Sequence, residues 1–245
     1  MSKDKFYNNL FDRFIEIVTD NNLLDNTVKV TGRPLTSKEA IGETEKKDFP
    51  ILKGKEKLLE AEFKGAKGQA FTDMPGDYCG TLQDIIDMSL DSNFNMAIYI
   101  ATLNAVCRYL KLADNTIHCK DNGPEKCALE LTSYLESRFG NPKIALIGFQ
   151  PSMLDRLRKS FNVRVVDLDK NNINTVKYGV LVEDGEKDTV DLLKWCDVIV
   201  ATGSTIANNT ITSLFVDDKP TIFFGTTLAG AAALMGLERF CPCSK

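Results

Sequence analysis

The chain has 245 residues, of which 43% are hydrophobic and 26% are charged. This length and hydrophobic content permit two modest domains or one large one, and they exclude a largely disordered protein. Thirty basic and 34 acidic residues give a formal net charge of −4. Because no basic run is longer than a doublet, nucleic acid is not expected as the main partner.

The amino terminus and the cysteines bear on the cellular compartment. The first twenty residues carry charges throughout, and no later window has about 18 uncharged apolar residues, so neither a signal peptide nor a membrane span is expected. We therefore expect a cytoplasmic protein without a membrane partner. Seven cysteines are scattered along the chain. An odd, scattered set predicts free thiols, some of them metal ligands, and no disulfide framework.

The first half of the chain is typical of a small α+β domain. Apolar residues at steps of three and four indicate a helix over residues 5–18, and residues 27–31 form a short apolar run typical of a strand. Residues 61–72 alternate and contain two glycines, which predicts a strand or hairpin that closely approaches another backbone. An alanine-rich helix over residues 95–110 is expected to pack closely on a neighbour.

A Pro-Gly turn at residues 74–81 lies between these elements. Thr81 is positioned as the N-cap of a helix over residues 82–90. Asp77 and Tyr78 stand in the turn, where they are either ordinary loop residues or part of a site.

The domain boundary is predicted within residues 113–123, which show no periodic apolar pattern and contain many turn-forming residues. We divide the chain into residues 1–118 and 119–245. Pro124 favours the start of a helix over residues 125–139, because its missing N–H has no partner at a helix start.

Three apolar runs in the second half predict parallel strands buried on both faces. Each run, over residues 143–154, 197–210 and 220–235, passes into a small-residue turn that is expected to open a helix. Sheets of this kind bind ligands at the carboxyl ends of their strands. The sequence therefore predicts an α/β domain whose site lies on the three βα turns.

The first βα turn lacks a dinucleotide fingerprint. Of the three glycines, Gly148 alone is present, and Gln150 and Pro151 occupy positions where a pyrophosphate needs bare backbone. A tight strand-to-helix turn is the favoured interpretation. Asp167 and Asp169 at the end of the next strand leave open a ribose-binding role with a mononucleotide or methyl donor.

The later turns are rich in hydroxyl groups. After Gly203, Ser204 or Thr205 can cap a helix, and Thr226 and Thr227 repeat this chemistry one strand later. Two such helix starts would converge on one small anionic or polar ligand, an alternative to plain capping.

His118 is the only histidine, and it precedes Cys119 directly. With Cys127 it forms a candidate set for zinc, copper(I) or cadmium, because thiolate and imidazole suit soft or borderline metals. The spacing matches no compact structural-zinc motif, so free buried thiols and a turn histidine remain the alternative. Cys241 and Cys243 end the chain in a Cys-Pro-Cys tail to which the sequence assigns no role.

Several segments together resemble the bacterial and archaeal family labelled putative heavy-metal chelation: GQAFTDMPGDYCG, ATLNAV, IHCKDNGPEKCA, IALIGFQPSMLDRL and ATGSTIANNT. The resemblance runs over most of the chain. It implies a domain similar to the amino-terminal domain of enolase, followed by a Rossmann-like α/β domain. It also matches family motifs to Gly148, Pro151, Gly203, Ser204, Thr205 and Asn208, and implies that Asp77, Tyr78 and Asn104 could face the cleft between the domains.

We therefore predict a two-domain protein that binds a small anionic ligand, a soft zinc-like metal ion, or both, in its interdomain cleft. The predicted ligand-binding residues are Gly148, Gln150, Pro151, Asp167, Gly203, Ser204, Thr205, Asn208, Thr226, Thr227, Asp77 and Tyr78. The predicted metal ligands are His118, Cys119 and Cys127. The alternatives are an enzyme acting on a nucleotide-like or methyl-donor molecule, with Asp77 or Tyr78 transferring protons, and a structural protein with no ligand.

Overall fold

A computed structural model describes residues 3–31, 42–49, 52 and 57–245. The helices are α1 (Lys3–Asp20), α2 (Leu82–Ile86), α3 (Asn93–Tyr109), α4 (Gly123–Phe139), α5 (Pro151–Ser160), α6 (Thr189–Trp195) and α7 (Ala229–Met235). The strands are β1 (Thr27–Thr31), β2 (Lys57–Phe63), β3 (Ala66–Thr72), β4 (Tyr78–Thr81), β5 (Lys143–Ile147), β6 (Asn162–Asp167), β7 (Val176–Lys177), β8 (Val180–Asp184), β9 (Val198–Thr202) and β10 (Thr221–Phe224). None of the helices in these ranges is long and apolar enough to cross a membrane.

The amino-terminal part is an antiparallel sheet covered by helices. Its strand order is β3-β2-β1-β4, and β2 and β3 form the predicted hairpin. The α3 helix packs on β2 and β3. A Cβ at Gly68 would lie 2.2 Å from the amide nitrogen of Ala105 in α3. The close backbone approach predicted from the glycines of this hairpin is therefore confirmed.

The carboxyl-terminal part is a six-stranded sheet in the order β10-β9-β5-β6-β8-β7. All pairs from β10 to β8 are parallel, and β7 pairs antiparallel with β8 at the edge. The α4 and α5 helices cover one face, and α6 and α7 cover the other. The predicted parallel α/β sheet is confirmed, and the carboxyl ends of β5, β9 and β10 lie at one edge.

One predicted helix does not form, and another is shorter than predicted. The helix expected after β9 is replaced by a 3-10 turn at Gly203–Thr205 and a second one at Ile211–Leu214. Thr205 uses its hydroxyl to bond the carbonyl oxygen of Thr202 at 2.9 Å, and Asn209 has a left-handed φ of 58°. Local bonds of this kind compete with an α-helix. The α2 helix ends at Ile86 instead of residue 90, and Ser92 caps the start of α3.

A buried asparagine joins the two sheets. The side-chain nitrogen of Asn104 lies 2.9 Å from the carbonyl oxygen of Gln69 in β3 and 3.1 Å from those of Thr226 and Thr227 after β10. Its side-chain oxygen accepts a bond from the amide of Gly230 at 2.7 Å. All four partners are backbone groups, so Asn104 fixes α3, β3 and the β10 turn relative to one another.

The boundary between residues 118 and 119 stays a prediction.

Candidate ligand- and metal-binding site

A cavity of about 90 Å³ lies where the carboxyl edge of the parallel sheet faces the end of β3. Aromatic rings of Phe49, Phe71 and Phe224 form apolar parts of its wall. Much of the remaining wall comes from polar residues and cysteines: His118, Cys119, Cys127, Gln150, Thr202, Ser204, Thr227 and Cys241. Residues from all three predicted βα turns and all three predicted metal ligands therefore line one space.

Positive backbone angles shape two of these turns. Gly148 has a φ of 88° and Gly225 a φ of 95°, a region that favours glycine. The Gln150 side chain accepts a hydrogen bond from the amide of Met153, so it caps α5. Pro151 begins that helix, as the sequence predicts.

The hydroxyl groups do not cap helices in the predicted way. Thr202 caps the short turn after β9, where its side chain accepts from the amide of Ser204. The N-cap position of α7 is Leu228, without a side-chain bond. Thr226 is fully buried and does not line the cavity, whereas Thr227 does and its hydroxyl accepts from the amide of Phe71 at 3.2 Å. The prediction that two helix starts converge on one ligand is therefore wrong. Hydroxyl side chains line the cavity instead.

The orientation of His118 follows from its neighbours. Its Nδ1 lies 2.6 Å from the carbonyl oxygen of Cys119, and a carbonyl only accepts, so Nδ1 carries the proton. The backbone amide of His118 donates to the side chain of Gln69 at 2.8 Å, and the ring packs edge-on against Phe71. Burial lowers the pKa of His118. The imidazole is thus neutral at pH 7, with Nε2 as its lone-pair nitrogen, the state that binds metals.

Three cysteines line the cavity, and a fourth, Cys243, lies beside them. Cys119, Cys127, Cys241 and Cys243 all interact with one another. Burial raises the pKa of the Cys119 thiol to about 12. A hydrogen bond to Cys241, together with burial, also raises the pKa of Cys127. These two groups are therefore thiols at neutral pH.

Cys241 is the exception among the four. The thiol of Cys127, the hydroxyl of Ser244 and the nearby Arg239 guanidinium lower the pKa of Cys241. It therefore holds the negative charge of the pair, and Cys127 holds the proton. No local pattern in the sequence signals this meeting, because it depends on where the tail lies in three dimensions.

The sulfur atoms are neighbours without being arranged as a preformed metal centre. In the described ranges, no group of three or more His, Cys, Asp or Glu side chains already has the geometry of a metal site. The donor types nevertheless fit a soft ion, since three cysteine sulfurs and a neutral imidazole line the same cavity. Metal entry would have to displace thiol protons and rotate side chains.

The structure places several predicted ligand-binding residues away from the cavity. Asp77 and Tyr78 lie at β4, the sheet edge opposite to β3. Asn208 is exposed after the β9 turn. Asp167 uses its carboxylate oxygens to accept from the amides of Phe149 at 2.7 Å and Asp169 at 2.6 Å, and burial raises its pKa. Asp167 thus holds the first βα turn to the end of β6.

Comparison with known proteins agrees with this architecture. Residues 132–235 match the family described as putative heavy-metal chelation. A structure from this family, a protein of unknown function from Pyrococcus horikoshii, superposes with a TM-score of 0.54 at 17% identity, covering 89% of this chain and 79% of that one. Another, from Desulfitobacterium hafniense, has a TM-score of 0.48 at 11% identity and covers 73% and 72% of the two chains. No curated protein matches the chain in sequence.

The predicted resemblance to the heavy-metal chelation family is thus confirmed, and the superposition supports the fold alone. The matched range contains the turns at Gly148, Gly203 and Gly225. The histidine and the four cysteines at or beside the cavity are all outside that range. The family match therefore assigns no role to them.

Proposed function

We propose that this protein binds a soft metal ion in the cavity, together with a small anionic or polar ligand. The observation that carries the proposal is that one small cavity is lined both by His118, Cys119 and Cys127 and by the hydroxyl-bearing Ser204 and Thr227. Thiolates and neutral imidazole favour zinc, cadmium or copper(I), whereas magnesium and calcium favour oxygen ligands. The description of the heavy-metal chelation family supports the same chemistry.

The size of the cavity limits what accompanies the metal. Pockets for drug-sized ligands have about 300–1,000 Å³, and one water takes about 30 Å³ of liquid volume. A cavity of about 90 Å³ therefore suits an ion with a few waters or one small anion. A dinucleotide is too large for it. The hydroxyls of Ser204 and Thr227 are the groups that would bond a small anion beside the metal.

Calorimetric titration of the reduced protein with Cd²⁺, Zn²⁺ and Mg²⁺ tests this function. We expect saturable binding of Cd²⁺ and Zn²⁺ and none of Mg²⁺. The double variant Cys119→Ser/Cys127→Ser should lose the binding. The control is Cys79→Ser, because Cys79 is exposed on β4, at the far edge of the sheet. Equal Cd²⁺ affinity in the wild type and the double variant, or none in the wild type, would overturn the proposal.

A further inference from the structure

The last residues of the chain are fixed beside the segment that carries His118 and Cys119. The backbone groups of Ile117 and Lys245 exchange two hydrogen bonds, of 2.8 and 2.9 Å. The Asn115 side chain donates to the carbonyl oxygen of Cys241 at 3.3 Å. On the other side, the amide of Phe240 donates to the carbonyl oxygen of Phe223 in β10 at 2.7 Å. The tail is therefore held at both of its ends.

This anchoring brings a further sulfur to the cavity. Cys241 lines the cavity together with His118, Cys119 and Cys127, and its side chain interacts with that of Cys127. Cys243 does not line the cavity. It lies near Gly123, where a Cβ built on that glycine would be 2.7 Å from the Cβ of Cys119 and 3.9 Å from the Cβ of Cys243.

A positive charge stands next to Cys241. The guanidinium of Arg239 donates to the carbonyl oxygens of Asp114 at 2.8 Å and Gly225 at 3.1 Å. Among the ion pairs in the part of the chain that the structure describes, none involves Arg239. Three thiolates and a neutral imidazole around a divalent ion leave one negative charge in excess, which this guanidinium would balance.

We propose that Cys241 is the fourth protein ligand of the metal, so that His118, Cys119, Cys127 and Cys241 form a three-cysteine, one-histidine site closed by the chain's own tail. The proposal rests on the proposed function, since it assumes that the cavity binds a soft metal. Three cysteines and one histidine are an established ligand set for tetrahedral zinc, and cadmium accepts the same donors. In this arrangement, Arg239 is a positioning residue that neutralises the complex and does not touch the ion.

Cd²⁺ titration followed by thiolate-to-cadmium ultraviolet absorption tests the fourth ligand. Loss of one thiolate in Cys241→Ser should reduce the absorption per bound ion to about two-thirds, because two thiolates replace three. Mutation of groups that only support metal ligands weakens binding by about 10–100-fold, so losing a ligand should cost at least that. Cys79→Ser is the control, because Cys79 is exposed at the far edge of the amino-terminal sheet, and it should leave both quantities unchanged.

Alkylation of the wild type gives a second readout that does not depend on variant folding. Cd²⁺ should protect the half-buried Cys241 from iodoacetamide, as measured by peptide mass spectrometry, while the exposed Cys79 keeps its reactivity. Unchanged binding in Cys241→Ser would overturn this ligand assignment while leaving the proposed function intact. No Cd²⁺ binding by the wild type would instead remove the proposed function itself.

Discussion

The side chain of Cys127 interacts with that of Cys241, which joins the start of α4 to the tail of the chain. The two residues share a single proton because burial makes two adjacent thiolates unfavourable. A metal ion would replace that proton and hold the two elements together. Protonation and metal binding therefore compete at this pair of sulfurs.

Metal affinity should rise with pH through neutrality. The pKa of Cys119 is raised to about 12 and that of Cys127 is raised, so both are protonated at pH 7 and must lose their protons to bind an ion. The pKa of Cys241 is lowered, so it contributes little to the proton release. Calorimetry in buffers of different ionisation enthalpy should detect about two protons released per Cd²⁺ near pH 7. An affinity that does not change between about pH 6 and 8.5 would contradict this assignment of thiols and thiolate.

Asn104 should be a major source of stability. Replacing it with Ala leaves the amide of Gly230 and three carbonyl groups without their side-chain partner, so unfolding free energy should fall by about 2–4 kcal/mol. Thr102 supplies the control in the same helix, since its buried hydroxyl has no hydrogen-bond partner among the described residues. Urea denaturation of Thr102→Val should show a change smaller than about 1 kcal/mol. Equal losses in both variants would mean that packing, and not the hydrogen bonds, makes Asn104 important.

Adenine nucleotides and S-adenosylmethionine should not stabilise the protein. Asp167, one of the two residues predicted to hold a ribose, is already bonded to two backbone amides, and the cavity is too small for a nucleotide. A ligand that binds only the folded state raises the melting temperature, so thermal denaturation at millimolar ligand is the measurement. A clear shift that disappears in Asp167→Ala would instead support the enzyme hypothesis.

Much of the fold could be predicted because its signals are local. Thr81 caps α2 through a reciprocal bond pair with Asp84, and a threonine before a helical run is a signal visible in sequence. The continuous apolar runs of β5, β9 and β10 predict buried parallel strands for the same reason. Gly68, a glycine inside an alternating run, likewise indicates the close contact that β3 makes with α3.

The site was predictable only in part, because it depends on contacts distant in sequence. His118, Cys119 and Cys127 could be selected by residue type and by their place near a domain boundary. The place of Cys241 at the cavity could not be predicted, since it follows from the pairing of Lys245 with Ile117, and a few backbone bonds leave no periodic pattern. The predicted cap of a helix after β9 failed because Thr202 and Thr205 satisfy the local backbone instead.

Native mass spectrometry of protein purified without chelator tests the central claim most directly. We predict about one zinc-like ion per chain in the wild type and in Cys79→Ser, and none in the double variant His118→Ala/Cys119→Ser, with all three folded by circular dichroism. Loss of the ion together with two ligands would place the metal in the cavity. The same metal content in the double variant as in the wild type, or a wild type that binds no soft metal even when it is supplied at micromolar concentration, would contradict the account.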